Sequence, residues 1–214
     1  MDELFVCGQG QPLDLYIMRG IPGCGKSNRA ARLKVSLESA GWTAHHFSAD
    51  AFFGEGEEYK RNWSSQRVHL GHRDCEAKCL AAMKSPVKPQ AIIIDNVNLV
   101  LQNFRFYIDN ALDFGYAVHL IYPDSPWWTE TVLPFLRNKK ANDEASIRQA
   151  GEIAKLLFEK NVHGVPEASL VDMLGRFQWV TYNDYVEATR QRVLAIEKEL
   201  AEMQKRLTWL EKHK

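Results

Sequence analysis

The chain has 214 residues, 45% apolar and 25% charged, with 27 Lys plus Arg against 27 Asp plus Glu. That length and composition fit one globular domain with an appendage and exclude a wholly disordered, collagen-like or disulfide-scaffold chain. Zero net charge argues against a protein that grips duplex nucleic acid through overall basicity, while leaving room for a small basic groove.

In chain order, Leu4 to Cys7 is too short an apolar run, without a basic start, for a signal peptide. Leu13 to Met18 is an apolar run ended by Arg19-Gly20, a buried strand, and Ser27 to Ala40 is a helix stopped by Gly41. Thr43 to Phe47 is a second strand. Ser64 to Met83 is helical, Ala91 to Ile94 a third strand closed by Asp95, and Val100 to Phe114 a helix ended by Gly115. Tyr116 to Tyr122 is a fourth strand. Helical segments follow between Trp128 and Phe158 and from Glu167 to Arg176, and Phe177 to Thr181 reads as a fifth strand. Strands alternating with helices predict a parallel sheet covered on both faces. No run approaches the 18 apolar residues of a membrane span. Cys7, Cys24, Cys75 and Cys79 make no CxxC or zinc spacing, which places the chain in a reducing compartment, cytoplasmic or nuclear. The pairs His45–His46 and His69–His72 have no acidic third ligand at metal spacing and read as structural or surface residues.

Gly20-Ile21-Pro22-Gly23-Cys24-Gly25-Lys26-Ser27 fits GxxxxGK[ST] at every specified place, between a predicted strand and a predicted helix as that motif requires. Its glycines let backbone N–H groups approach phosphate oxygens, and the helix that follows turns its positive end toward them. In that arrangement Lys26 reaches the β and γ phosphates of a nucleotide and the Ser27 hydroxyl ligates Mg²⁺. Asp95, at the end of an apolar strand, sits where a second acidic group for the metal belongs, although a plain strand-end turn would also place an Asp there. Asp50, just past the second strand, lies where open α/β sheets bind ligands. It reads either as a base that accepts the proton of an acceptor hydroxyl or as the N-cap of a short helix.

Taken together, the GIPGCGKS loop, the SADAFF segment, IIIDNVNL, PDSPWW and the NVHGVP turn resemble the polynucleotide-kinase-like branch of P-loop kinases, from about Leu13 to Arg176. The resemblance implies an α/β P-loop NTPase fold, a parallel sheet flanked by helices with a helical lid, and an activity: ATP- and Mg²⁺-dependent phosphorylation of a 5′-hydroxyl end of RNA or DNA. It makes Asp50 the general base, matches Asp95 and Asn98 to an Asp-x-x-Asn run, and calls for a lid cation over the transferring phosphate. That cation falls on Arg137 by one alignment and Lys160 by the other, with Arg148 between them, because residues 139–160 read as an inserted helical hairpin. Phe53 stands where phage-type relatives carry an Arg, so the grip on the substrate differs. Lys60, Arg61, Arg67 and Arg73 are candidates for strand contact, and Phe53 and Trp63 for base stacking. Trp127-Trp128 reads as the anchor of the lid base. A kinase of a small hydroxyl metabolite and a nucleotide-binding assembly module are the alternative readings.

Asp184 onward contains no Gly or Pro. Val186, Val193, Leu200 and Leu207 alternate at steps of three and four with Thr189, Ile196, Met203 and Leu210, a heptad seam about four repeats long. The organisation expected is therefore a kinase domain over 1–181, with its lid and insertion at about 126–166, and a coiled-coil helix over 182–214 that pairs two copies in parallel through 182–210; a trimer and an amphipathic helix folded back on its own domain are the alternatives. Arg192 would face Glu197, and Arg206 would face Glu211, of the other copy.

Overall fold

The computed structural model describes residues 3–6, 8, 10–141 and 143–212. Within them the chain divides into two compact units, 1–179 and 180–214.

The first unit is built on the segments with the densest apolar patterning. Leu13–Met18 (β2), Thr43–Phe47 (β3), Gln90–Ile94 (β4) and Ala117–Ile121 (β5) pair in parallel in the order β5-β2-β4-β3. Every residue of β4 is buried, as expected of a central parallel strand with both faces covered. The sheet is not wholly parallel, because Glu3–Val6 (β1) adds to the β5 edge antiparallel. Four residues gave no period from which to read that strand, and a neighbouring edge supplies its hydrogen bonds. The segment 177–181, expected as a fifth strand, is extended but pairs with no strand. Its alternation serves packing instead: Phe177 is buried, and the Gln178 N–H donates to the Leu99 carbonyl.

Helix Lys26–Ser39 (α1) packs Ala30, Leu33 and Leu37 onto Met18, Ile93 and Ile121 on one face of the sheet. With the right-handed crossovers that parallel strands take, Val68–Met83 (α3) and Arg105–Asp113 (α4), which pack on each other, belong on the other. α3 begins four residues later than its pattern suggested, the preceding stretch holding a separate short helix, Gly56–Asn62 (α2). Cys75 and Cys79 are buried free thiols one turn apart on α3, whereas Cys7 lies outside the described residues. After β5 come a π-helical turn, Trp128–Val132, and helices Leu133–Asn138 (α5), Glu144–Glu159 (α6) and Glu167–Arg176 (α7). Asp143 caps α6, accepting from the Ser146 N–H at 2.8 Å.

Arg19, directly before the glycine-rich loop, is fully buried. Its guanidinium donates to the carbonyls of Asn98 (3.0 Å), Leu99 (3.0 Å) and Gln178 (2.6 Å) and to the Tyr122 hydroxyl (3.2 Å). The rings of Phe104 and Phe177 lie 4.9 and 5.0 Å from its central carbon.

The second unit is one helix, Tyr182–Lys212 (α8). The Thr181 N–H and hydroxyl both donate to Asp184 at 2.7 Å, and the Asp184 N–H returns to the Thr181 hydroxyl at 3.3 Å, a reciprocal cap. The Leu210 and Glu211 side chains lie outside what the structure describes. No helix among the described residues is long and apolar enough to cross a membrane.

Arg19→Met is therefore expected to lower unfolding free energy by about 3–5 kcal/mol, since it leaves several buried acceptors unpaired at roughly 1–3 kcal/mol each. Arg32→Met, which removes an exposed ion pair with Asp124, should cost under about 1 kcal/mol. Urea unfolding of both variants checks the contrast.

Candidate active site

The carboxyl ends of β2, β3 and β4 open into one cavity of about 780 Å³. Its lining comes from the glycine-rich loop (Gly23, Gly25, Lys26, Ser27), from Asp95 to Leu99, from Asp50, Phe53, Tyr59 and Trp63, and from 160–166. Of the residues singled out from sequence, Lys26, Ser27, Asp50, Asp95 and Lys160 therefore share one space. Arg137 and Arg148 are exposed and do not line it.

The glycine-rich loop is held from behind. The Ser125 hydroxyl donates to the Cys24 carbonyl (2.9 Å) and the Trp127 indole N–H to the Gly23 carbonyl (3.0 Å). Gly23 has a φ of +81°, and a Cβ there would collide with the Leu157 carbonyl oxygen, so the last turn of α6 abuts the loop. The end of the 139–160 segment thus meets the site: Leu157 packs on the loop and Lys160 lines the cavity. Trp128 is buried as an anchor, while Trp127 lines the cavity itself. Lys26 is buried and folded back onto the loop, donating to the Ile21 carbonyl at 3.1 Å. Cys24 is sealed in the core, and burial pushes its thiol up, away from thiolate chemistry.

The run after β4 acts as a cross-brace. The Asn96 carboxamide accepts from the Ala49 N–H (2.8 Å), and its amide donates to Tyr107 (3.4 Å) and the Cys75 sulfur (3.6 Å). Asn98, at a φ of +48°, donates to the Met18 carbonyl (2.8 Å). The turn bearing Asp50 and the strand feeding the glycine-rich loop are therefore both tied to the segment that begins at Asp95. Gly71 of α3 lets that helix meet the Asp50 turn, since a Cβ there would stand 2.5 Å from the Ala49 carbonyl oxygen.

Asp95 is buried. Burial pushes its carboxyl up, but the His46 ring at 3.3 Å, the Lys26 ammonium and the Ser27 hydroxyl all favour the ionised form and leave it below the usual carboxylate range. Its other oxygen, Oδ1, has no partner within hydrogen-bond geometry. A buried, ionised carboxylate with one unused oxygen beside a serine hydroxyl is a hard-oxygen donor pair, which fits Mg²⁺. Among the described residues no cluster of three His, Cys, Asp or Glu forms a metal cage.

Asp50 does not cap its own turn. The Asp50 N–H donates to the Ser48 hydroxyl (3.2 Å), and the carboxylate instead accepts from the Tyr59 hydroxyl (3.1 Å), with the His163 ring 3.7 Å away. Neither Tyr59 nor His163 was legible as a site residue, nor was His46. His46 and His163 each bear on a carboxylate distant in the chain, Tyr59 lies nine residues from Asp50, and the NVHGVP turn that contains His163 does not by itself mark a contact with Asp50. Phe53 and Tyr59 are buried at the wall and Trp63 stands 44% exposed at the rim. Arg67, by contrast, is turned onto the Phe52 and Phe53 rings and donates to the Asn62 carbonyl, and Lys60 pairs with Glu57. Lys60, Arg61, Arg67 and Arg73 do not line the cavity, whereas His72 does.

No protein-family model matches the chain. Solved structures similar to it include the APS kinase CysC of Mycobacterium tuberculosis as a cysteine-to-alanine mutant, at 16% identity over 68% of this chain and 96% of that one, with a TM-score of 0.40. The same enzyme in complex with AMPPNP and APS matches at 15% identity over 68% and 97%, TM-score 0.40. Kti12 of Chaetomium thermophilum in complex with ADP-AlF3 matches at 13% identity over 77% and 100%, TM-score 0.38.

Lys160 lies over the Trp127 ring, 4.5 Å from its centre, beside the glycine-rich loop. Arg176 also reaches the lining, from the end of α7, and carries an ion pair with Asp172. Lys139 is occupied elsewhere, donating to the carbonyls of Leu174, Gly175 and Phe177 at the end of α7. Lys160→Ala should weaken ATP binding about tenfold or more, the value of a charge-assisted hydrogen bond, whereas Arg137→Ala and Arg148→Ala should leave it unchanged. Titration calorimetry with ATP reads all three.

Proposed function

We propose that the protein transfers the γ-phosphoryl group of ATP to a 5′-hydroxyl end of RNA or DNA. The observation that carries this reading is Asp50: a carboxylate not used as a helix cap, facing the same cavity as Lys26 and Ser27. Simple nucleotide binding needs a phosphate cradle but no carboxylate across from it; transfer to a hydroxyl needs both.

In this reading the glycine-rich loop and Lys26 hold the β and γ phosphates, and Lys160 neutralises charge on the transferring group from the α6–α7 lid. The acceptor oxygen forms its bond to the γ phosphorus as the bond to the ADP oxygen breaks, and the acceptor proton passes to Asp50. Mg²⁺, held by Ser27 and Asp95 when bound, supplies further charge neutralisation at the phosphates. Trp63 at the rim offers a stacking surface to the base next to the reacting hydroxyl.

One observation favours a small hydroxyl acceptor instead: the basic side chains of α2 and α3 lie outside the cavity lining. γ-Labelled ATP offered with 5′-hydroxyl oligonucleotides and nucleosides in competition decides between them. Oligonucleotide labelling supports the first reading, and labelling of nucleosides alone overturns it. Asp50→Asn should lower transfer about 10²–10⁴-fold with ATP affinity little changed, and Lys26→Ala should abolish both. Wild-type transfer by Asp50→Asn would remove the base role.

We also propose that α8 pairs with α8 of a second copy in parallel. Val186, Val193, Ile196, Leu200, Met203 and Leu207 are each 44–60% exposed along one seam. Two such seams bury one another, and the parallel register sets Arg192 against Glu197 of the second helix. Light scattering at micromolar concentration should give a dimer, and the full-length Ile196→Lys/Met203→Lys variant a monomer with transfer activity retained. A monomeric or trimeric wild type overturns the pairing.

A further inference from the structure

Asp50 sits on a short 3₁₀ turn, Asp50–Phe53, with its side chain about half exposed. A carboxylate so placed samples several rotamers unless something holds it. Two side chains from elsewhere in the fold do. The Tyr59 hydroxyl, on α2, donates to Oδ1 at 3.1 Å. The His163 Nε2, from the turn between α6 and α7, stands 3.7 Å from Oδ2, beyond hydrogen-bond length and within ion-pair range. The Tyr59 and His163 rings are themselves in contact, with centres 4.5 Å apart.

The turn that presents His163 is braced internally, so it moves as one piece. The His163 N–H donates to the Asn161 carboxamide oxygen (3.1 Å), whose amide donates to the Val165 carbonyl (3.0 Å). Gly164 supplies the positive φ, +65°, that closes it. Lys160, three residues before His163, lies over Trp127 beside the glycine-rich loop. Four consecutive residues thus reach from the phosphate side of the cavity to the acceptor side.

We propose that His163 and Tyr59 form a clamp on Asp50, so that the base is correctly aimed only when the 160–166 turn is seated over the cavity. This rests on Asp50 being the base, and both clamp members are positioning residues. Burial and the adjacent carboxylate push the Tyr59 phenol well above its ordinary value, so it stays a donor throughout the working pH range. Its bond fixes Oδ1 and the ring plane against His163. A small further closure of the turn brings His163 to bonding distance of Oδ2 and completes the aim. The chemical consequence is that the base becomes competent in the same movement that brings Lys160 to the phosphates.

The test measures kcat and ATP KM for Tyr59→Phe, His163→Ala and His163→Gln, each also in the Asp50→Asn background, with imidazole NMR of His163. Tyr59→Phe and His163→Ala should each lower kcat about 10–100-fold, the range expected of a misplaced reacting group, with ATP KM unchanged. His163→Gln, which keeps a donor, should recover most of the rate. In the Asp50→Asn background neither variant should slow transfer further, a non-additivity that a merely structural role would not produce. Asp50→Asn should also shift the His163 ring resonances, while Asp113→Asn should not. Slow transfer by Asp50→Asn with wild-type kcat in both clamp variants overturns the clamp and leaves the base. Wild-type transfer by Asp50→Asn overturns both. Unshifted His163 resonances in Asp50→Asn overturn the clamp whichever acceptor is phosphorylated.

Discussion

The buried guanidinium of Arg19 holds the functional end of the sheet together. A guanidinium removed from water without partners is strongly unfavourable, so its position is tolerable only because three carbonyls, a hydroxyl and aromatic faces surround it. Those partners come from the loop after β4, the end of β5 and the segment after α7. The residue that leads into the glycine-rich loop is thereby fastened to the pieces of chain that must stay in register with it. The substitution of an apolar side chain of equal length would fill the space but satisfy none of the carbonyls.

From that fixed point the polar run Asp95-Asn96-Val97-Asn98 distributes geometry to both sides of the cavity. Asn98 holds the end of β2, and the Gly20 N–H donates to the Val97 carbonyl at 3.1 Å. Asn96 holds the backbone before Asp50. Each buried amide is paired, which makes this network rigid and not a source of strain. The exception is Asp95 Oδ1, on a carboxylate whose charge Lys26 and Ser27 both favour. An unpaired buried carboxylate oxygen is costly in an otherwise satisfied network, and a hard cation is the partner its surroundings suit.

What was legible from the chain was what is local. A run such as Ala91 to Ile94 declares a central strand because burial on both faces demands continuous β-branched residues, and the glycine-rich loop declares itself because its backbone conformations exclude side chains. The antiparallel β1 was not legible, since an edge of four residues takes its identity from the strand it joins. The segment 177–181 was misread because alternation records only that one side is buried, and here the buried side faces Trp128 and Arg19 rather than a sheet. The cation question stayed open in sequence for a related reason. Arg137 and Lys160 both follow plausible spacings, but no residue of α5 lines the cavity and the end of α6 abuts the glycine-rich loop, a difference of packing and not of motif. Tyr59 and His163 reach Asp50 from separate elements: Tyr59 stands nine residues on, with no pattern that pairs it to the carboxylate, and His163 lies far along the chain.

The arrangement also explains why the extra helix α6 belongs to the site. Its apolar face, Ala150, Ile153, Ala154 and Leu157, is buried, and its axis delivers two consecutive features: the Leu157 carbonyl packed on Gly23 and the Lys160 ammonium over Trp127. Because Gly23 admits no Cβ at that approach, the helix and the loop constrain each other. A displacement of α6 must move either the loop or the 160–166 turn that follows it. The glycine-rich loop and the 160–166 turn are therefore joined through one helix end, by steric contact at Gly23 and by the short covalent path from Lys160 to His163.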